Sequence, residues 1–207
     1  FPSMSIFYIL RHAEKEKEKG EFRTPDLSHQ DQPISQRGWE QSRKLWEYLC
    51  DKQISAIYVS RYQRTGQTIE YVAQQLGITP VVDDRLNEID IGVIDPLSDE
   101  EVQEKYPEFW KAYHERTADF RFPGGETGEE ACQRIAGFLE EKRQAHPDEN
   151  IIFVTHEGLI RQLMCYIVDI PAYKRDNFHV DLCGIMEITY RPERNNWKLI
   201  RFNQKLP

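Results

Sequence analysis

Short runs of apolar and β-branched residues alternate along the chain with longer stretches in which apolar residues recur every three or four positions. The short runs predict strands that are buried on both faces, and they lie at 5–10, 54–59 and 151–155. The longer stretches predict helices, and they lie at 36–50, 63–76, 127–146 and 158–168. Two further strands, joined by a turn at 195–196, are predicted at 184–190 and 197–202.

The order of these elements predicts the fold class. Strands that alternate with helices build an α/β three-layer sandwich, with a largely parallel central sheet flanked by helices. We expect the whole chain, 1–207, to form one domain, because this length supports a single hydrophobic core. Residues 97–122 interrupt the alternation with six aromatic residues, which predicts either core packing or an inserted lid or pocket wall.

Composition and charge narrow the classes of function. The chain carries 27 Lys and Arg against 35 Asp and Glu, for a net charge of -8. That balance argues against nucleic-acid binding, which needs a basic surface, although a local cluster of arginines can still attract an anion. No apolar run reaches the roughly 20 residues that span a bilayer, and the first residues lack the basic leader of a signal peptide. The four cysteines lack metal-site spacing, so we expect reduced thiols in a cytoplasmic protein.

Charged side chains follow the predicted strands at the point where each strand ends. Arg11 and His12 follow the first strand, and His156 follows the third. Arg64 opens the helix after the second strand, and Glu88 lies just beyond a short pair of valines. Because ligands bind at the carboxyl ends of the strands in open α/β sheets, we expect these five side chains to lie together.

These residue types suit phosphoryl transfer. Arginine matches the outer oxygens of a phosphate through bidentate, charge-assisted hydrogen bonds. A neutral imidazole can attack phosphorus and form a phosphohistidine, and neighbouring arginines lower the pKa of that imidazole. A carboxylic acid can protonate the leaving oxygen and then accept a proton from the attacking water. The residues alone leave open which of the two histidines attacks.

Six short motifs stand in order along nearly the whole chain. They are LRHAE at 10–14, PIS with a following glycine and glutamine at 33–41, SRYQRTGQT at 60–68, LNE with a glycine at 86–92, GGET at 124–127 and VTHEG at 154–158. Together they resemble the signatures of the histidine phosphatase superfamily, branch 1, the phosphoglycerate mutase-like proteins.

The resemblance implies a role for each candidate residue. His12 would be the nucleophile, Glu88 the proton donor, and His156 would complete the pocket. The phosphate would be held by four groups, namely Arg11, Arg64, His156 and the backbone N–H of Glu157. The resemblance implies no metal ion and no cofactor.

The chain departs from the family pattern at three places, the first of which is Ala13, where the family usually has a glycine after the nucleophile. Glu18 or a neighbour stands where an asparagine commonly contacts phosphate, so it is open whether the charged segment 14–32 closes over the site. V-I-D-P replaces the W-E-G that often follows the acid. Asp90 and Glu14 therefore remain alternatives to Glu88 as the proton donor.

We expect the chain to hydrolyse a small phosphomonoester through a phosphohistidine on His12. Six acidic residues between 90 and 104 predict an acidic pocket rim, which disfavours highly charged substrates such as bisphosphates. Trp110 or Tyr113 is a candidate to stack on the leaving group.

Three other functions stay open at this point. The first is a cofactor-dependent mutase that passes phosphate between hydroxyls, and the second is a non-catalytic module that binds a phosphorylated ligand. The third is a metalloenzyme, in which Asp83, Asp84 and Glu88 would join the two histidines as ligands. A homodimer is also left open, while neither a nucleic acid nor a membrane is expected as a partner.

Overall fold

The structure, a computed structural model, describes residues 4–17 and 21–207. Its strands are β1 (Phe7–Arg11), β2 (Ile54–Val59), β3 (Val81–Val82), β4 (Asn150–Thr155), β5 (Ile185–Arg191) and β6 (Asn196–Gln204). Its α-helices are α1 (Gln36–Leu49), α2 (Gln63–Leu76), α3 (Asp99–Lys105), α4 (Pro107–Glu115), α5 (Gly128–Ala145) and α6 (Glu157–Val168). Short 3-10 turns lie at Asp84–Leu86, Ala172–Asn177 and Pro192–Arg194.

The strands form one sheet in the order β3-β2-β4-β1-β5-β6. β1 and β2 each run parallel to β4, and β3 runs parallel to β2. β5 runs antiparallel to both β1 and β6, and the predicted turn joins β5 to β6. The prediction of an α/β fold with a largely parallel sheet is confirmed, and the antiparallel part is confined to one edge.

The two faces of the sheet carry two separate sets of buried side chains. Successive residues of a strand point to opposite faces, so Phe7 and Ile9 pack with the buried residues of α5 and α6. Tyr8 and Leu10 pack on the other face, with those of α1 and α2. The central strands therefore lie between two helical layers, which is the predicted three-layer sandwich.

Local chemistry at the helix ends explains why the predicted bounds agree closely with the observed ones. α5 begins at a capping box, in which the Thr127 side chain accepts the Glu130 N–H at 3.0 Å and Glu130 accepts the Thr127 N–H at 3.3 Å. α2 ends at Gly77, which takes the left-handed conformation (φ +67°) that glycine adopts without strain. Such caps can be predicted from the sequence, because the groups that form each cap lie within a few residues of one another.

Residues 97–122 form α3, α4 and the chain that leads into α5. Their aromatic rings pack mainly on one another, with the Phe109 ring centroid 5.8 Å from that of Phe120 and 5.3 Å from that of Phe122. Tyr113 joins this cluster at 5.7 Å from Phe109. The segment therefore extends the hydrophobic cluster on the α5 and α6 face of the sheet, in which Phe120 and Phe122 are buried.

The cysteines and the helices give two further observations. All four cysteines have free thiols, and burial raises the pKa of Cys165 to about 11. Among the described residues, no helix combines the length and apolar character needed to cross a bilayer.

The chain leaves the two central strands towards opposite faces of the sheet. β1 leads to α1 on one face, whereas its neighbour β4 leads to α6 on the other. Where neighbouring strands diverge in this way, a crevice opens beyond their carboxyl ends, and this is where open α/β sheets bind ligands. His12 and His156 follow these two strands directly.

Candidate active site

The register of β1 and β4 brings the two predicted histidines together. Arg11 pairs with Thr155 at the end of the parallel ladder, and the His12 N–H donates to the Thr155 carbonyl at 3.1 Å. The next residue on each strand therefore emerges on the same edge. The ring centroids of His12 and His156 are 5.2 Å apart.

The His12 ring has a fixed tautomer. Its Nδ1 lies 2.7 Å from the Ala13 carbonyl oxygen, and a carbonyl oxygen can only accept, so the hydrogen is on Nδ1 and Nε2 keeps its lone pair. Burial, the Arg64 charge and, more weakly, the Arg11 charge hold the pKa of His12 well below its usual value, despite the opposing Ala13 hydrogen bond. The ring is therefore neutral at physiological pH.

The His156 ring is bonded through the other nitrogen. Its Nε2 lies 2.8 Å from the Ser60 hydroxyl, and its Nδ1 is buried without a partner among the described residues. Burial and the Arg64 charge hold the pKa of His156 well below its usual value. The Ser60 hydroxyl itself accepts the Tyr62 N–H at 3.2 Å.

Arg11 and Arg64 each have one edge bonded to the protein and a buried Nε without a partner. The Arg11 Nη1 donates to the Val180 carbonyl at 2.6 Å. The Arg64 Nη1 donates to the Gln30 carbonyl at 3.1 Å, and its guanidinium lies 4.5 Å above the Tyr62 ring. Both side chains are thus held in place while part of each guanidinium is left for a ligand.

Glu88 lies at the N-terminus of α6. One carboxyl oxygen accepts the N–H groups of Ile89 and Leu159 at 2.9 and 3.1 Å, and the other accepts the Gly158 N–H at 3.0 Å. A Cβ on Gly158 would lie 2.5 Å from Oε1 of Glu88, so this approach requires a glycine there.

The two alternatives to Glu88 face other partners. Oε1 of Glu14 accepts the Ser35 hydroxyl at 2.9 Å, beside the start of α1. Oδ1 of Asp90 accepts the Gly92 N–H at 2.9 Å. Neither side chain lines the cavity described below, whereas Glu88 does.

The side chain of Glu157 makes contacts that are separate from the backbone N–H role implied by the resemblance. Its carboxylate pairs with Arg11 at 2.7 Å and with Arg161 at 2.8 Å. The spacing of four residues between Glu157 and Arg161 is a signal that the sequence did contain. The bridge fixes the orientation of Arg11 beside His12.

Five of these groups line an open cavity of about 320 Å³, namely Arg11, His12, Arg64, Glu88 and Glu157. His156 is fully buried and does not line it. The other charged or aromatic lining residues of the cavity, which sequence reasoning did not assign to the site, are Lys15, His29, Arg116, Phe122, Arg161 and Arg175, and Tyr113 lines it too. Trp110 does not line it and instead stacks on His114, with ring centroids 4.2 Å apart. Of the two predicted stacking candidates, only Tyr113 therefore faces the cavity.

The predicted acidic rim is wrong for this cavity. None of the acidic residues between 90 and 104 lines it, and its two carboxylates are Glu88 and Glu157. Asp95, for example, pairs with Arg23 at 2.7 Å. These acids are near the site in the chain, but none of their side chains enters the lining of the cavity.

The charged segment 14–32 contributes a wall of the site where it is described. The His29 ring lies in the lining, and its Nε2 donates to the Ile89 carbonyl at 2.9 Å. Gln63 and Ile91 donate backbone hydrogen bonds to Asp31 and Ser28 of the same segment. Glu18, which stands near the position of the family's asparagine, lies outside the described residues.

The donor set does not suit a metal ion. Across 4–17 and 21–207, no three or more His, Cys, Asp or Glu side chains are grouped so that they could hold one. Asp83 bonds to Arg85, and Asp84 bonds to Arg61. Two of the three carboxylates that the metalloenzyme alternative needs are therefore engaged with arginines, and the third, Glu88, accepts backbone N–H groups.

Comparison with known proteins agrees with this geometry. The family model described as histidine phosphatase superfamily (branch 1) matches residues 7–205. Phosphoserine phosphatase 1 of Hydrogenobacter thermophilus is 31% identical over 191 residues, which cover 90% of this chain and 87% of that protein. "Probable phosphoglycerate mutase GpmB" of Cronobacter sakazakii is 29% identical over 190 residues, which cover 89% of this chain and 84% of that protein.

A solved structure shares the fold. The alpha-ribazole phosphatase of Shigella flexneri superimposes with a TM-score of 0.80 at 21% identity, over 97% of this chain and 96% of that one. The superposition agrees with the six-stranded sheet and its flanking helices. Because the family model matches nearly the whole length of this chain, the chain belongs to the histidine phosphatase superfamily, branch 1.

Proposed function

We propose that this protein is a phosphatase that hydrolyses a small phosphomonoester through a phosphohistidine intermediate on His12. The observation that carries the proposal is the pairing of the two imidazoles. His12 presents a lone pair on Nε2 to the cavity, and the ring of His156, with its centroid 5.2 Å away, has a buried Nδ1 without a partner among the described residues. The named relative that hydrolyses phosphoserine supports hydrolysis as the reaction.

The phosphoryl group would sit between the histidines and two arginines. Phosphoryl transfer depends chiefly on positioning and on stabilising charge at the outer oxygens. The partly unpartnered guanidiniums of Arg11 and Arg64 supply that charge. With the Ser60 hydroxyl donating to Nε2 of His156, the hydrogen of that ring is on Nδ1 and donates to a phosphate oxygen.

In the first step, Nε2 of His12 forms a bond to phosphorus while the ester P–O bond breaks. The carboxylic acid of Glu88 gives its proton to the leaving oxygen, so the alcohol departs neutral. The ring of His12 becomes cationic. The hydrogen bond that its Nδ1–H donates to the Ala13 carbonyl oxygen, with 2.7 Å between nitrogen and oxygen, stabilises that charge.

In the second step, water attacks phosphorus and the P–N bond breaks. The electron pair returns to Nε2 of His12, and the Glu88 carboxylate takes a proton from the water. The products are the alcohol and inorganic phosphate, and His12 and Glu88 regain their starting states.

A mutase is the second candidate, because one relative of 29% identity carries that name. A mutase would return the phosphoryl group from His12 to a second hydroxyl instead of water. Release of inorganic phosphate in the absence of a bisphosphate favours the phosphatase, and isomerisation of phosphoglycerate that needs a bisphosphate favours the mutase.

The proposal is tested by trapping the intermediate. We expect that rapid mixing with p-nitrophenyl phosphate, followed by a basic denaturing quench that preserves the P–N bond, adds one PO3 group to the protein. Digestion and mass spectrometry should place that group on His12. His12→Gln is expected to show neither the added mass nor phosphate release, while its circular dichroism stays that of the parent. A phosphate-releasing His12→Gln variant, or a PO3 group on another residue, would overturn the proposal.

A further inference from the structure

The loop that precedes β5 holds Arg11 on several sides. The Arg11 Nη1 donates to the Val180 carbonyl at 2.6 Å, and the Arg11 backbone N–H donates to the Gly184 carbonyl at 3.2 Å. The Cys183 N–H donates to the Arg11 carbonyl, also at 3.2 Å. Both the backbone and the guanidinium of Arg11 therefore depend on the position of the loop 180–184.

This loop contains a backbone conformation that its residues do not favour. Residues 181–184 form a tight turn, in which the Gly184 N–H donates to the Asp181 carbonyl at 2.9 Å. Cys183, the third residue of the turn, has φ +57°. Turns with a positive φ at this position usually place glycine or asparagine there, because other side chains are strained in it. A strained residue persists only where the surrounding structure holds it, so contacts from outside the turn must fix its shape.

The side chain of Asn203, on β6, makes such contacts. Its Oδ1 accepts the Asp181 N–H at 2.7 Å, and its Nδ2 donates to the Asp181 carboxylate at 3.0 Å. A Cβ on Gly184 would lie 2.3 Å from Oδ1 of Asn203, so a glycine is required there for the amide to reach the turn. The other oxygen of the Asp181 carboxylate faces His179, whose side chain is mostly exposed. The buried support of the turn therefore comes from Asn203.

The backbone of β6 is irregular at the same residue. Ile185 pairs with Gln204, and Glu187 pairs with Arg201. β6 therefore contributes one residue more than β5 between these two pairs, which is a β-bulge. Asn203 lies in this bulge with φ +53°, a left-handed conformation that asparagine adopts more readily than most residues. Bulges next to active sites redirect a side chain out of the regular ladder, and here the redirected side chain is the amide that reaches the turn.

We propose that Asn203 is a positioning residue for phosphate binding, because through the turn 181–184 it fixes the Val180 carbonyl and with it the guanidinium of Arg11. This inference rests on the proposed phosphatase function. Asn203 does not line the cavity, so it acts only through Arg11. Without the amide, the strained turn relaxes, the hydrogen bonds to Arg11 weaken, and the guanidinium loses the orientation that the phosphate oxygens need.

The first test is Asn203→Gly, which removes the amide and leaves a residue that adopts a positive φ without strain. We expect kcat/KM for p-nitrophenyl phosphate to fall on the order of tenfold, as for one weakened charge-assisted hydrogen bond. The fall should be partial, because the Glu157 carboxylate still pairs with Arg11 at 2.7 Å.

Asn195→Gly is the matched control. Asn195 also has a positive φ, +50°, and its amide oxygen bonds to the Tyr190 hydroxyl at the turn between β5 and β6, outside the cavity. The control variant therefore loses an asparagine amide at a left-handed position without touching the loop that holds Arg11. It should keep the parent kcat/KM.

A double-mutant cycle distinguishes a positioning role from a merely structural one. In Arg11→Gln the guanidinium that the loop positions is absent, so adding Asn203→Gly should change kcat/KM by less than about twofold. An amide that only stabilised the fold would lower kcat/KM by the same factor in both backgrounds. Circular dichroism and thermal unfolding of each variant would show that activity is measured on folded protein.

Asn203→Asp keeps the test decisive if Asn203→Gly does not fold. The aspartate retains an acceptor for the Asp181 N–H and loses the bond to the Asp181 carboxylate. It should lower kcat/KM in the same direction, and the effect should again vanish in the Arg11→Gln background. Parent-like kcat/KM in every Asn203 variant that folds, or an equal loss in both backgrounds, would overturn the proposal.

Turnover of p-nitrophenyl phosphate by the parent separates this inference from the function on which it rests. A parent that hydrolyses the ester, with equal kcat/KM in the Asn203 variants, would refute the positioning role alone. A parent that does not hydrolyse the ester would refute the phosphatase itself.

Discussion

At the scale of single residues, two neighbouring histidines of similar burial are hydrogen-bonded through opposite ring nitrogens. The two rings differ in which nitrogen is hydrogen-bonded to the protein. The Ala13 carbonyl is hydrogen-bonded to Nδ1 of His12, and the Ser60 hydroxyl is hydrogen-bonded to Nε2 of His156. One ring therefore offers a lone pair and the other, in the tautomer we propose, an N–H. A nucleophile and a donor for the transferred group arise from one residue type.

Ser60→Ala tests the role of this hydroxyl. We expect kcat to fall by tenfold to a hundredfold, on the order of a lost buried hydrogen bond, because His156 loses the bond that fixes its tautomer. KM should change less than kcat, since Arg11 and Arg64 still bind the phosphate. Steady-state kinetics on p-nitrophenyl phosphate would measure both.

Ser42→Ala is the matched control for that variant. The Ser42 hydroxyl is fully buried and donates to the Trp39 carbonyl at 2.8 Å within α1, outside the site. Both variants should lose about 1 kcal/mol of stability, and only Ser60→Ala should lose activity. Equal kcat in the two variants would show that the Ser60 hydroxyl is merely structural.

At the scale of elements, the N-terminus of α6 holds the proposed acid. Helix N-termini present backbone N–H groups without helical partners, and two of these, from Gly158 and Leu159, bond to Glu88. Glu157, the first residue of the same helix, pairs with Arg11. One helix end therefore positions both the proposed proton donor and an arginine that we propose binds phosphate.

Gly158→Ala tests this arrangement. The new Cβ would lie 2.5 Å from Oε1 of Glu88, so the carboxyl group must move away from the leaving oxygen. We expect kcat to fall on the order of a hundredfold, as for a displaced general acid. Substrates with good leaving groups, which need less protonation, should be affected less.

Gly137→Ala provides the comparison for a glycine in a helix. A Cβ at Gly137, in α5, meets nothing within 4 Å. That variant should gain about 0.5–1 kcal/mol of stability with unchanged kcat, because alanine favours the helix. Full activity of Gly158→Ala on a poor leaving group would argue against Glu88 as the acid.

At the scale of the whole molecule, a chain with a net charge of -8 encloses a cationic cavity. The cationic side chains arrive from the end of β1, the segment after it, α2, α4, α6 and the turn at 172–177. The same assembly buries two imidazoles among arginines, and it holds the pKa of both below the usual value. Stability and catalysis are therefore linked through the same groups.

This linkage predicts how stability depends on pH. Below about pH 6.5 the unfolded chain protonates both histidines, whereas the folded protein keeps them neutral. The unfolding free energy should therefore fall as the pH drops, by up to about 1.4 kcal/mol per pH unit for each histidine. Urea unfolding between about pH 7.5 and about pH 5.5 would measure the slope.

His12→Gln should reduce the slope of unfolding free energy against pH by up to the contribution of one histidine, about 1.4 kcal/mol per pH unit. Ser42→Ala, which removes a buried hydroxyl outside the cavity and no titratable group, is the control and should retain the parent slope. An equal slope in the parent and in His12→Gln would show that burial of His12 contributes nothing to the pH dependence.

The sequence by itself determined the fold class and the candidates that follow strands. Apolar runs and helix caps depend on neighbours within a few residues, so the elements could be predicted closely. Parallel strands end on one edge of a sheet, so the placement of Arg11, His12, Arg64 and His156 together could be predicted as well. The resemblance of the motifs added the expected roles.

Only the tertiary structure decided the rest of the site, because it depends on groups far apart in the chain. The resemblance implied Glu88 as the acid, and only the structure could show that Glu88 lines the cavity and bonds to the start of α6, some seventy residues later, whereas Asp90 does not line it. Arg116 and Arg175 follow helices, where no strand end marks them, and they meet only when α4 and the turn after α6 pack around the same cavity. The sign of the charge at the site was set by side-chain direction, which composition along a segment does not determine.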